Sequence, residues 1–326
     1  MGGNLFKRGR LPKKEYLVIE TKIRSYLDER FGADSYRIPR YYGTKTDFGD
    51  VDILLSKSIM DKGSDWVTIR EGIVRDLGIQ ESKGSGKVFS TLYMNFQVDF
   101  FLVDQEIMES QSSFMDFNDL GNFLGRIFRS FNLKYSHQGL YYIYQKSSEG
   151  PIKEFLVSRD WEKILAFLEL DYNKWKEGFY EIEEMFEWLL ASPYFRSAPY
   201  RNPESRIVRT LAKQRNTTQR FVAYLEGKNI ERVSALRNRS EEALISRIEG
   251  HFPESNLSRL IAEQEQWQAK QDLVHRKFNG RLMMEWNPQL KGKELGRAMH
   301  LFRQKYSPEK VMAMTSNEIK HAAQLL

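Results

Sequence analysis

The stretch that decides the fold runs from Gly43 to Leu55 and reads GTKTDFGDVDILL. Its second half predicts a β-strand, because an aliphatic run follows a polar loop that contains glycine. Successive side chains of a strand point to opposite faces, so Asp50 and Asp52 share one face while Val51 enters the core. The sequence therefore predicts two carboxylates held side by side at the start of a buried strand.

A third acidic residue, Asp99, lies within the apolar segment FQVDFFLV at residues 96–103. An unpaired charge is costly in such a strand, so this carboxylate is expected to have a partner. Clustered carboxylates repel one another, and a hard cation such as Mg²⁺, which takes oxygen ligands, relieves the repulsion. The three aspartates predict a site for two Mg²⁺ ions, with Mn²⁺ as an alternative, that activates an attacking oxygen and stabilises a leaving pyrophosphate.

Residues beside the first two carboxylates suit the binding of phosphate. Gly43 and Thr44 end the preceding strand, where backbone amides and a hydroxyl can approach phosphate oxygens closely. Lys45 is the nearest cationic candidate for a triphosphate contact. An isolated Asp-x-Asp pair is also typical of a surface strand end or a turn, but its combination with Gly-Thr and a later buried acid favours catalysis.

Apolar spacing along the chain predicts an α+β fold. Helices are predicted over 13–31, 66–77 and 120–131, and strands over 36–42, 51–55, 88–103 and 140–144. Strand signals almost vanish after residue 151, and helical patterns cover 160–170, 181–190, 206–225, 241–248 and 257–277. We expect a basic arm and helix in 1–35, a catalytic unit with a mixed sheet and flanking helices in 36–150, and a mainly α-helical domain in 151–326.

Composition narrows the class of protein. The chain has 50 Lys and Arg residues against 44 Asp and Glu, and the net charge of +6 favours an anionic partner. Cysteine is absent from the sequence, which excludes disulfides and thiolate metal sites. No apolar segment follows the basic N-terminal residues, and no stretch approaches about 18 uninterrupted apolar residues, so neither a secretory signal nor a membrane span is predicted. An intracellular protein, cytoplasmic or nuclear and not secreted, is expected.

The catalytic-looking residues resemble the polymerase β-like nucleotidyltransferases, and within them the family X DNA polymerases. The run GDVDILL at 49–55 is similar to that family's first catalytic motif, and Val98-Asp99-Phe100 is similar to its third-aspartate strand. The resemblance covers about residues 36–144. It implies a polymerase β-like fold that transfers a nucleoside monophosphate from NTP or dNTP to a nucleic-acid 3′-hydroxyl, with Asp50, Asp52 and Asp99 as catalytic metal ligands.

The segment from Leu124 to Tyr141 is similar to the family's fingers helix and the strand after it. By this resemblance, Asn122 and Arg126 fall on positions that contact the incoming nucleotide or the paired template. The alternatives are a solvated helix residue at Asn122 and a surface charge at Arg126.

Three departures from the family pattern leave the choice of substrate open. Gly43 and Asp50 are seven positions apart, and the loop between them lacks the arginines and the second glycine of family X. Residues 114–117 replace an aromatic pair followed by Thr-Gly, so no choice between ribonucleotides and deoxyribonucleotides is implied. His137 stands where the family has a glutamate.

The helical half carries basic residues with few acids among them, notably Arg206, Arg209, Lys213 and Arg215. Aromatic residues lie among them, a mixture that can hold phosphates and stack on bases, although a solvated helix face with core aromatics is the alternative. Residues 278–283 and 291–297 faintly resemble the tail of tRNA nucleotidyltransferases. A nucleic acid, either DNA or tRNA, is therefore the expected partner. Transfer to a protein or a small molecule, and an inactive nucleic-acid-binding module, are the other hypotheses.

Overall fold

The protein is described by a computed structural model, which covers residues 5–60, 64–146, 152–201, 215–226, 228 and 240–325. Helices and strands are mixed in an α+β fold. Contacts divide the chain into two units, Met1–Ser255 and Asn256–Leu326. Within the described ranges, no helix is both long and apolar enough to cross a membrane.

The largest sheet is five-stranded and mixed. Its strands are β2 (Tyr36–Arg37), β4 (Asp50–Ser56), β5 (Glu81–Ser85), β6 (Val88–Tyr93) and β7 (Phe96–Val103). Their order is β2-β4-β7-β6-β5, with β4 and β7 parallel and the other neighbours antiparallel. The strand predicted over 51–55 and the strands predicted within 88–103 are confirmed.

Two smaller sheets complete the β-structure of the described residues. The strands β8 (Leu133–Ser136), β9 (Gly139–Tyr144) and β10 (Lys153–Ser158) form an antiparallel sheet in the order β10-β9-β8. A short ribbon pairs β1 (Leu11–Pro12) with β3 (Asp47–Phe48). This ribbon ties residues 11–12 to the end of the loop that precedes the first two aspartates.

Helices surround these sheets in the first unit. They are α1 (Lys13–Phe31), α2 (Trp66–Asp76), α3 (Met108–Met115), α4 (Leu120–Phe128), α5 (Trp161–Phe167), α6 (Tyr172–Glu177), α7 (Ile182–Ala191), α8 (Ala198–Arg201), α9 (Asn216–Glu226) and α10 (Glu241–His251). The helix predicted over 13–31 is confirmed, and it ends where Gly32 adopts a φ of 87°. The helix predicted over 66–77 is also confirmed, with the Asp65 side chain accepting from Thr68 N at its start.

The second unit, taken by itself, is helical. It contains α11 (Leu257–Lys277), α12 (Gly280–Trp286), α13 (Gly292–Lys305), α14 (Pro308–Ala313) and α15 (Ser316–Gln324). Buried apolar side chains, including Phe278, Met283 and Phe302, form its core. The two segments that resemble a tRNA nucleotidyltransferase tail fall at the starts of α12 and α13. The Asn279 side chain caps α12 by accepting from Leu282 N.

Two sequence predictions need correction. The strand predicted over 36–42 ends at Arg37, because Pro39 has no N–H to donate and Arg40 N donates instead to the Asp116 carboxylate at 2.7 Å. The sequence does not predict the strand β10, which pairs with β9. The small sheet therefore includes residues on both sides of the predicted boundary at 150. The functional division into 1–35, 36–150 and 151–326 stays a prediction.

The two faces of the large sheet differ, and the difference positions the aspartates. On one face Val51, Ile53 and Phe100 pack with Ile19 and Ile23 of α1 in the main core. On the other face the carboxyl ends of β4 and β7 are apolar, and Leu54 and Val103 pack against Met108 of α3. The amino ends of the same two strands carry the acidic residues on this second face.

A close approach between α3 and α4 makes Gly121 a sensitive position. A Cβ there would lie 2.3 Å from the Phe114 carbonyl oxygen, whereas a Cβ at Gly125 of the same helix would meet nothing within 4 Å. We expect Gly121→Ala to lower the free energy of unfolding by about 1–3 kcal/mol through overpacking. The control Gly125→Ala should be neutral or stabilising by up to about 1 kcal/mol. Chemical denaturation of both variants measures the difference, and equal effects would contradict the close packing.

Candidate metal centre

Three carboxylates meet where two parallel strands begin. Asp50 and Asp52 alternate along β4, and Asp99 of β7 lies directly opposite Asp52 in the parallel register. One carboxylate oxygen from each of the three residues lies within 4.8 Å of the other two. The structure thus brings together the three aspartates that the sequence singled out.

Burial sets the electrostatics of this cluster. Burial and then the neighbouring charges of Asp50 and Asp99 raise the pKa of Asp52 well above its usual range. Burial also raises the pKa of Asp99, and the side chains of Ser90 and Gln97 offset part of that effect. Keeping these carboxylates ionised at neutral pH is therefore costly unless a cation joins them.

The ligand atoms fit a divalent cation. Asp99 Oδ2 accepts a hydrogen bond of 2.8 Å from Gln97 Nε2, whereas Asp99 Oδ1 is buried and has no hydrogen-bond partner within the described part of the chain. A buried acceptor without a partner is unusual in a folded protein and asks for an explanation. The cluster offers only carboxylate oxygens, which are the ligands that Mg²⁺ and Mn²⁺ prefer.

Lys45 is a cationic side chain whose charge acts on the cluster and lowers the pKa of Asp52 in part. Burial lowers the pKa of Lys45 to about 8, and the carboxylates of Asp50 and Asp52 offset part of this effect. Its ammonium lies 4.2 Å from the centre of the Phe48 ring and donates to Asn118 Oδ1 at 3.0 Å. Lys45 therefore supplies positive charge that acts on Asp50 and Asp52, and its contact with a triphosphate stays a prediction.

The backbone amides of Gly43 and Thr44 already have protein partners. Gly43 N donates to the Phe179 carbonyl at 2.9 Å, and Thr44 N donates to the Tyr180 carbonyl at 2.8 Å. The Thr44 hydroxyl donates to Glu181 Oε2 at 2.9 Å. Phosphate binding by these groups stays a prediction, and it requires the segment 179–181 to release them.

The two residues implied by resemblance to the fingers helix lie on α4 and also have partners. The exposed Asn122 has its side-chain nitrogen 3.4 Å from Asp119 Oδ1. Arg126 donates to the Pro199 carbonyl at 3.2 Å, and its guanidinium lies 5.0 Å from the centre of the Tyr200 ring. The Arg126 contacts hold α4 to α8, whereas the Asn122 contact lies within the first turn of α4. Nucleotide contacts from these residues stay a prediction.

One of the basic residues proposed for nucleic-acid binding has a structural partner. Arg215 forms an ion pair with Asp119, whose other oxygen accepts from the Thr218 hydroxyl at 3.1 Å. This arrangement anchors the start of α9 on α4. The other three residues, Arg206, Arg209 and Lys213, lie outside the described residues.

Sequence reasoning missed two polar residues of the site, Gln97 and Asn118. Gln97 lies two positions before Asp99, so the alternation of β7 already places both side chains on one face. Asn118 adopts a φ of 63°, and its side chain connects Lys45 to Thr217 Oγ1, which lies 3.3 Å away. No local pattern indicates this link, because Thr217 belongs to the distant helix α9.

Comparison with known proteins gives limited similarity. No protein-family model and no curated protein matches the chain. Among solved structures, the chain is similar to polymerase beta of Leishmania infantum in its ternary P/T complex. The sequences are 16% identical, the match covers 50% of this chain and 74% of that one, and the TM-score is 0.38. The case for a function is therefore made from the residues of the site.

Neutralising one aspartate should stabilise the metal-free protein. Because the pKa of Asp52 is raised, its ionised form destabilises the fold at neutral pH, and the penalty declines as the pH falls through that pKa. We expect Asp52→Asn to raise the melting temperature without metal by about 2–4 °C, the shift that about 1 kcal/mol produces. The variant should also lose the stabilisation that Mn²⁺ gives to the unmodified protein.

Differential scanning calorimetry with and without Mn²⁺ measures both effects. The matched control is Asp34→Asn, the same change at an exposed carboxylate outside the cluster. A variant at Asp52 that responds to Mn²⁺ as the unmodified protein does would show that this carboxylate is not a metal ligand.

Proposed function

We propose that the chain is a metal-dependent nucleotidyltransferase, which adds nucleoside monophosphates from NTP or dNTP to the 3′-hydroxyl of a nucleic acid. The observation that carries this proposal is the convergence of Asp50, Asp52 and Asp99 within 4.8 Å, on one face of two paired strands. Divalent ions held by these carboxylates, two in our proposal, would neutralise the triphosphate and lower the pKa of the acceptor hydroxyl.

The three aspartates take different roles in the proposal. Asp50 and Asp52, which alternate on β4, hold the ion that accompanies the triphosphate. Asp99 serves the acceptor: its Oδ1 has no hydrogen-bond partner among the described residues and can take the hydroxyl proton, directly or through water.

Lys45 is the residue best placed to contact the phosphates. With a pKa of about 8, the Lys45 amine is mostly protonated at pH 7. Its hydrogen bond to Asn118 holds the ammonium beside the aspartates and can be exchanged for a phosphate oxygen. Gly43 and Thr44 add backbone donors if their hydrogen bonds to Phe179 and Tyr180 open on nucleotide binding.

An inactive module that only binds nucleic acid explains the site less well. Such a protein gains nothing from Asp52 and Asp99, whose ionised forms are disfavoured by burial and, at Asp52, also by the charges of Asp50 and Asp99. The net charge of +6 favours a polyanionic acceptor over a small neutral molecule. Both facts support an enzyme that acts on nucleic acid.

One assay tests this proposal. The protein is incubated with Mg²⁺, each labelled NTP and dNTP in turn, and either a primed DNA template or tRNA. We expect nucleotide incorporation into one of these acceptors, and loss of incorporation by orders of magnitude in Asp50→Ala and Asp52→Ala. The control Asp34→Ala should keep full activity. Near-normal turnover in either aspartate variant would overturn the catalytic assignment.

A substitution at Asp99 should separate nucleotide binding from chemistry. Asp99→Asn keeps the shape of the side chain but removes its charge and most of its basicity. Asp50 and Asp52 still hold the ion that accompanies the nucleotide, so we expect near-normal affinity for nucleotide with Mg²⁺, while incorporation falls by orders of magnitude. Calorimetric titration beside single-turnover kinetics measures the two. The assigned role fails if affinity falls as far as the rate, or if the rate survives.

A further inference from the structure

The N-terminal arm, defined here as Leu5–Arg10, is anchored beside the metal centre. The Phe6 side chain is buried, and the Lys83 ammonium lies 5.0 Å from the centre of its ring. Arg10, the residue before β1, forms an ion pair with Asp47 of β3. The arm is therefore held at both of its ends, on the large sheet and on the loop that leads to Asp50.

The arm also makes a hydrogen bond to a buried side chain of β7. Leu5 N donates to Gln97 Oε1 at 3.0 Å, and Gln97 Nε2 donates to Asp99 Oδ2 at 2.8 Å. Gln97 is only 6% exposed and Asp99 only 8%. A continuous chain of hydrogen bonds thus runs from the backbone of the arm to the proposed metal ligand.

Each link of this chain fixes the orientation of the next. A backbone N–H can only donate, so the oxygen of the Gln97 amide must face Leu5, and the amide nitrogen must then face Asp99. That nitrogen can only donate, so the Asp99 oxygen that meets it must accept. This arrangement holds Asp99 Oδ2 and leaves Oδ1 as the oxygen without a partner.

We infer that Gln97 is a positioning residue for the metal centre, and that the backbone N–H of Leu5 in the N-terminal arm sets the orientation of Gln97. The inference rests on the proposed function, since it takes Asp99 to be a metal ligand. It adds the arm to the parts of the protein on which the centre depends. Gln97 itself touches neither metal nor substrate in this assignment.

A positioning role and a merely structural role predict different results. If Gln97 only contributes a buried hydrogen bond, its loss lowers stability and leaves the metal affinity of the folded protein unchanged. If Gln97 orients a metal ligand, its loss lowers metal affinity by about 10- to 100-fold, as removal of a ligand's hydrogen-bond partner typically does. Metal affinity of the folded protein is therefore the decisive quantity.

The first test makes the same substitution at two positions, Gln97 on β7 and Gln105 just after the end of β7. Gln97→Met keeps a side chain of similar length and removes the amide group, so both of its hydrogen bonds are lost. The control Gln105→Met removes the hydrogen bond of 2.6 Å that Gln105 accepts from Ser56, at the other end of β4. Mn²⁺ is titrated into each full-length protein without nucleotide, and free Mn²⁺ is followed by electron paramagnetic resonance. We expect a 10- to 100-fold weaker affinity for Gln97→Met and no change for Gln105→Met.

The second test addresses the arm. Leu5→Pro removes the backbone N–H that meets Gln97, because proline has none to donate, whereas Leu5→Ala removes the partly exposed side chain and keeps the N–H. We expect weaker Mn²⁺ binding for Leu5→Pro and unchanged binding for Leu5→Ala. Equal affinities for the two variants would remove the arm from the inference.

Asp99→Asn, measured in the same titration, separates failure of this inference from failure of the proposed function. If Asp99→Asn weakens Mn²⁺ binding and Gln97→Met does not, the positioning role is wrong and the proposed function stands. If Asp99→Asn binds Mn²⁺ and incorporates nucleotide as the unmodified protein does, the proposed function fails and the inference with it. Circular dichroism of each variant verifies that the comparison is made between folded proteins.

Discussion

Repulsion among three carboxylates is the constraint on which the first unit depends. Parallel pairing of β4 with β7 places Asp52 opposite Asp99, and the alternation of β4 adds Asp50 on the same face. The opposite face must be apolar for the sheet to fold, and it packs on α1 in the main core. Burial of the apolar face thus stabilises the sheet enough to offset the repulsion among the carboxylates on the other face, which is unfavourable without a cation.

The polar residues around the cluster reduce part of the repulsion among the carboxylates. Lys45 brings positive charge close to Asp50 and Asp52, and its own pKa falls to about 8 because it is buried there. Gln97 donates to one oxygen of Asp99 and leaves the other without a partner. These contacts stabilise the cluster in part and leave carboxylate oxygens for the metal ions that the proposed function requires.

Local patterns in the sequence predicted much of this arrangement. Alternation gave the shared face of Asp50 and Asp52, and helical spacing gave α1 with its observed ends. An isolated acid in an apolar strand was enough to single out Asp99. The alternation of β7 would also have predicted Gln97 as its neighbour, since residues two apart in a strand share a face.

Contacts between distant parts of the chain lay beyond such patterns. The segment 179–181 takes the hydrogen-bonding groups of Gly43 and Thr44, and nothing in either local sequence indicates that pairing. Local sequence likewise does not indicate that Arg215 pairs with Asp119. Its place in a basic cluster had suggested that Arg215 binds phosphate instead. Tertiary packing decides which partner a polar group contacts, and the spacing of residues along the chain does not show that packing.

Anomalous scattering from Mn²⁺ tests the central claim most directly. Crystals grown with Mn²⁺ and a non-hydrolysable nucleoside triphosphate would be measured where manganese scatters anomalously. The proposed centre predicts manganese peaks within about 2.5 Å of oxygens from Asp50, Asp52 and Asp99. Manganese peaks elsewhere, with none beside the three carboxylates, would contradict the proposed centre.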